Sequence, residues 1–182
     1  MGAPDADTGQ LNAGRLSYGS SNLTGDWPYT GGTGLGTIGQ VFLFPQRMWK
    51  ALDAEETNSA VEVLWLGGNV TVALTMVGWD EAGVAALNPN TGTSNSKTII
   101  EWPGSDYTAG APITPLTNVV FTPHDTTNGK GWVLYKAVAV PDVNQELACT
   151  AGRFLEIPAV LIAIPDATDR LGKFGKFSEL SL

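Results

Sequence analysis

The sequence predicts a mainly β protein: an antiparallel β-sandwich or half-barrel with one short flanking α-helix at about residues 80–87 and long loops or arms. Three observations carry this expectation. Apolar residues alternate with period two in several runs of strand length, most clearly over residues 61–77. Glycine (22) and proline (11) are abundant while charged residues make up only 15%, a balance that suits short strands joined by turns. Helical spacing is sustained over about two turns in only one place. With 182 residues, 43% of them hydrophobic, the chain reads as a single domain, 1–182, able to bury a sizeable core.

The elements follow in order. Residues 1–37 lack sustained alternation and read as an N-terminal arm or loop region, rich in glycine. A strand is expected over Ile38–Phe44, ended by Pro45. Residues 45–60 then read as a polar loop with Met48, Trp49 and Leu52 on one face of a single helical turn. In VEVLWLGGNVTVALTMV, Val61, Val63 and Trp65 alternate with Glu62, Leu64 and Leu66. After Gly67-Gly68-Asn69, Val70, Val72, Leu74 and Met76 alternate with Thr71, Ala73 and Thr75. Alternation on both sides of a glycine-rich interruption predicts a β-hairpin turning at 67–69.

Asp80 is placed to cap a helix over Glu81–Leu87, which Asn88-Pro89 would end. Residues 90–97 read as a loop, Thr98–Trp102 and Asn118–Phe121 as short strands, and 122–131 as a polar turn closed by Asn128-Gly129. Two longer strands are expected over Trp132–Val140 and Glu156–Ile164, and 169–182 reads as a partly ordered C-terminal tail. Seven or eight strands and one helix point to a sandwich or small barrel.

Composition narrows the chemistry. Cys149 is the one cysteine and His124 the one histidine, so a disulfide within the chain, a thiolate cluster or a multi-histidine metal site is not expected. No cofactor or metal is expected. The N-terminus carries acids and no apolar core, unlike a secretory signal, and no run is long enough to span a membrane. A reducing cytoplasm is the expected place of synthesis. A net charge of −8 argues against gripping a phosphate backbone.

Several motifs resolve to ordinary structure. Gly34-Leu-Gly36-Thr-Ile-Gly39 matches GxGxxG as a string, but β-like residues follow it where the dinucleotide fold needs a helix. His124-Asp125 lies in a turn, with no nucleophile elbow anywhere. Asp80-Glu81 and Glu55-Glu56 are sequence neighbours, which rarely face each other across a scissile bond. Cys149 reads as an inert buried thiol. Asn22-Leu-Thr24 and Asn69-Val-Thr71 match the glycosylation pattern without a secretory context. Of the six tryptophans, Trp65 and Trp132 are expected in the core. Trp27 and Trp49 lie in expected loops and suit a subunit interface, where Trp is enriched. Stacking on sugar rings is the competing reading.

From Val61 onward the chain resembles the tail tube proteins of long-tailed bacteriophages and their relatives in contractile machines. The carrying residues are GGNVTVALTMVGWDEAGVAALN (67–88), WVLYKAVAVPD (132–142) and FLEIPAVLIAIPD (154–166), together with the opening LSYGSSNLT (16–24). The chain departs from that pattern in its many tryptophans and its long 89–131 segment. The resemblance implies a non-enzymatic virion protein, made in the host cytoplasm and residing in the tail. Its protomers would form rings, six-fold in that family, that stack into a tube through which double-stranded DNA passes without specific binding. Its partners would be itself and other tail and neck proteins, with no membrane. On this reading Arg47, Trp49, Lys50, Glu55 and Glu56 are candidates for ring stacking. Glu62, Thr71 and Thr75 are candidates for a lumen hairpin. A head–tail adaptor, tube-initiator or capsid decoration protein is an alternative role. A carbohydrate-binding module and a small hydrolase on paired carboxylates are rivals from other classes.

Overall fold

The computed structural model describes residues 14–53, 60–78, 81–87, 91–94, 97–100, 113–140 and 156–182. The strands are β1 (Gly14–Tyr18), β2 (Thr33–Asp53), β3 (Ala60–Gly78), β4 (Thr91–Ser94), β5 (Lys97–Ile100), β6 (Leu116–Pro123), β7 (Lys130–Val140), β8 (Ile157–Ala163) and β9 (Gly172–Lys176). One helix, α1, spans Glu81–Leu87, and a 3₁₀ turn spans Phe177–Glu179. The helix runs where helical spacing predicted it; Asp80, its expected cap, lies outside the described residues.

Strands pair in the order β6-β1-β2-β3-β8-β7, and β6 also pairs with β7. Every pairing is antiparallel. The sheet therefore closes into a six-stranded barrel, in keeping with the mainly β expectation of a sandwich, half-barrel or small barrel. Closure removes the open edges that a flat sheet would leave. β9 adds to the Lys130–Leu134 half of β7, and β8 takes the Ala137–Val140 half. β4 and β5 form a separate small hairpin, where a loop over 90–97 had been expected.

Alternation fills the barrel. Leu16, Ile38, Val72, Leu74, Met76, Phe121, Trp132, Leu134, Ile157 and Leu161 form one buried cluster, joined by Leu87 of α1. Trp132 stacks on Phe121 with ring centroids 5.7 Å apart, so Trp132 occupies the core position predicted for it. Truncating an aromatic so placed typically costs about 3–5 kcal/mol.

A second cluster lies on the outer side of β6 and β7. There Val120, Val133, Tyr135, Tyr29 and Phe177 are buried together, with Trp27, Leu23, Leu180 and Leu182 packed against them. The segments expected to be an N-terminal arm or loop region and a partly ordered tail thus supply part of the fold. Residues 19–32 and 177–182 cover apolar side chains that would otherwise face water. Trp27 is part of this cover: its ring lies over Gly34, where an added Cβ would sit 2.6 Å from it. Arg15 places its guanidinium 5.2 Å from the same ring.

Candidate assembly surface

β2 and β3 are far longer than the barrel needs. β2 pairs with β1 only up to Ile38, and β3 pairs with β8 only from Thr71 to Met76. Beyond those limits Pro45–Asp53 and Ala60–Val70 pair with each other alone among the described residues. They form a two-stranded ribbon of roughly 30 Å at about 3.3 Å per residue.

Two sequence expectations are corrected here. Pro45 does not end the strand. It pairs with Val70 on a stretch of β2 that no other described strand joins, and an edge position is where a sheet tolerates proline. Gly67-Gly68-Asn69 does not turn the chain either. Gly68 and Asn69 stay paired with Arg47 and Gln46, and the register jumps from Met48↔Gly67 to Trp49↔Trp65. Leu66 is therefore an extra residue in a β-bulge, with Gly67 at φ +112°. A turn and a bulge both break the phase of an alternating pattern. The 21-residue β2 alongside decides for the bulge.

The register locates the predicted residues. Arg47, Trp49 and Lys50 lie on β2, opposite Gly68, Trp65 and Leu64, in a strand and not in the polar loop expected for 45–60. Glu55 and Glu56 lie outside the described residues. Glu62 pairs with Leu52 in the ribbon, whereas Thr71 and Thr75 sit in the barrel wall between β2 and β8. Because Leu66 shifts the phase, Glu62 shares a face with Thr71 and Thr75.

That face is the outside of the barrel, and around the threonines it is apolar. One row runs Phe44, Thr71, Ile162, Val138; the next runs Phe42, Ala73, Val160, Val140. Phe42 and Phe44 are 48% and 50% exposed and stack on each other at 6.2 Å. Segments 40–46, 71–77 and 157–163 carry no charged residue, so this wall is uncharged. Sequence reasoning missed Phe42 and Phe44. The alternation of 41–44 already marks two aromatics on the face opposite Val41 and Leu43.

The other motifs resolve locally. Gly34–Gly39 runs within β2 and is followed by more strand, so no helix N-terminus is present to hold a pyrophosphate. Asp125, next to His124, accepts bonds from the backbone N–H groups of Thr127 and Asn128 at 2.9 and 3.0 Å, which closes the β6–β7 turn. Those bonds, the one from Asn128 first, hold its carboxyl below the usual range. Asn22 likewise accepts from Thr24. Among the described residues, no three His, Cys, Asp or Glu side chains are grouped to hold a metal ion. No helix among them is long and apolar enough to cross a membrane. Cys149, Trp79 and Trp102 lie outside the described residues.

Compared with known proteins, the chain matches no family model and no curated protein sequence.

Proposed function

We propose that this chain is a structural virion protein that assembles with copies of itself into rings, stacking as a bacteriophage tail tube around a channel for DNA. The observation that carries this reading is the ribbon formed by Pro45–Asp53 and Ala60–Val70 beyond a closed barrel. A two-stranded ribbon is marginal by itself in water, and edges that no other described strand joins invite another chain. The resemblance to tail tube proteins supplies the kind of assembly. The net charge of −8 suits a channel that must not hold DNA, because like charges give it no sticking points. Rings of six and contacts with other tail and neck proteins follow from the resemblance alone. Of the lumen candidates, Glu62 keeps that role here, while the apolar setting of Thr71 and Thr75 favours a neighbouring subunit.

Negative-stain electron microscopy of the purified protein over a concentration series, with solution mass measured alongside, tests the reading. Rings or tubes with a central channel are the expected result. A monomer at every concentration would sink it and favour the adaptor or decoration role.

A further inference from the structure

We propose that one face of the ribbon, marked by Trp49, Ala51, Val63 and Trp65, docks on the outer barrel face of a second copy around Phe42 and Phe44. The proposal rests on the self-assembly reading above and assigns the two surfaces that meet.

Register makes the first surface. Trp49 pairs directly with Trp65 and Ala51 with Val63, and paired residues share a face while successive residues alternate. These four positions are all apolar and are on the opposite face from Lys50 and Glu62. They continue the face that carries Val41, Leu43 and Val72 inside the barrel, now on a stretch that no further described strand joins. The second surface is the wall of Phe42 and Phe44, half-exposed, with Ala73, Val160, Ile162 and Val138 half-buried around them.

The occupant is a second copy because the two surfaces cannot meet within one chain. Phe42 and Phe44 are even-numbered positions of β2 and Trp49 and Ala51 are odd-numbered ones, so they lie on opposite faces of the same continuous strand. The wall is half-exposed and no further described strand joins the ribbon, so a neighbouring copy offers each surface an apolar partner. Packing the ribbon on the wall is sheet-on-sheet contact at about 10 Å. Two tryptophans, each burying about 150–250 Å², supply roughly half of the ~800 Å² per partner of a stable interface. The contact joins unlike surfaces. Made in one direction only, it is heterologous and generates rings or open stacks; made reciprocally, it closes a two-fold dimer, and the mass of the wild-type assembly tells the two apart.

A mixing experiment tests this. F42S/F44S removes the wall and keeps the ribbon; W49S/W65S removes the ribbon face and keeps the wall. Each variant alone is expected to be monomeric where the wild type assembles. Mixed, they can make one contact only, the ribbon of the first on the wall of the second, so a 1:1 heterodimer is expected and nothing larger. Circular dichroism and the thermal transition check that each barrel is folded. If a double variant loses that transition, F44S and W49S carry the same comparison. Either variant assembling like the wild type, or a mixture that stays monomeric, overturns the docking proposal and leaves the tube reading standing. A wild type that never assembles overturns both.

Discussion

Asp166 shows what one residue contributes at the turn between β8 and β9. Its Oδ1 accepts from the backbone N–H groups of Thr168 and Arg170 and from the Thr168 hydroxyl, and its Oδ2 accepts from the Arg170 guanidinium. The Arg170 N–H, ahead of the guanidinium and Thr168, holds the carboxyl well below its usual range. Arg170 in turn lies over the Tyr135 ring at 4.1 Å, which ties the β8–β9 turn to the outer cluster. A depressed folded pKa means stabilisation that is fully present above the unfolded value, near 4, and lost as pH falls through the folded one. D166N should therefore melt below the wild type at neutral pH. The gap should narrow as pH drops from about 5. Thermal melts across pH decide it: a gap that is constant down to strong acid would show that the carboxylate charge contributes nothing. None of these partners was visible in the sequence, where Asp166 is one acid after Pro165.

At the scale of elements, the ribbon depends on the bulge. Gly67 has φ +112° and nothing within 4 Å of an added Cβ, so a side chain there meets backbone strain and not a clash. G67V should cost about 1–3 kcal/mol. Amides of 48–53 and 60–66 should then exchange roughly tenfold to a hundredfold faster in dilute protein, with barrel amides unchanged. G68V, without a left-handed φ, should be mild by comparison. Equal effects from the two would refute the bulge as the source of strain. The elements were legible wherever alternation ran unbroken: β6, β7, β8 and α1 fall close to the spans their patterns predict. They were illegible where the deciding partner is elsewhere. Residues 45–53 look polar and helical in isolation, and only the strand opposite makes Trp49 and Trp65 a cross-strand pair. Residues 14–18 become a strand because β2 and β6 flank them, and β6 lies more than a hundred residues away.

For the whole molecule, barrel closure is the feature that no local pattern contains. A sandwich and a barrel share the same alternating strands and differ in whether the last strand returns to the first. Here β6 returns to β1, with Leu16 opposite Phe121, and β7 then seals β6 to β8. The candidate site was half-visible for the same reason: Trp49 was singled out by type, and the alternation of 41–44 marks Phe42 and Phe44, but the face that Trp49 shares with Trp65 exists only through register. Closure also separates two roles. The core cluster is built from β1, α1, the barrel halves of β2 and β3, and β6–β8, so the ribbon should be dispensable for folding and required for assembly. Arg47 and Gly68 are paired, so residues 48–67 can be replaced by Asn-Gly, which forms a tight hairpin turn. The excised chain should keep a cooperative thermal transition close to that of the wild type and stay monomeric where the wild type assembles, as sedimentation velocity would read. If it still assembled, the ribbon would not be the assembly element. If it failed to fold, the barrel would not be the autonomous unit that its closed hydrogen-bond pattern makes it.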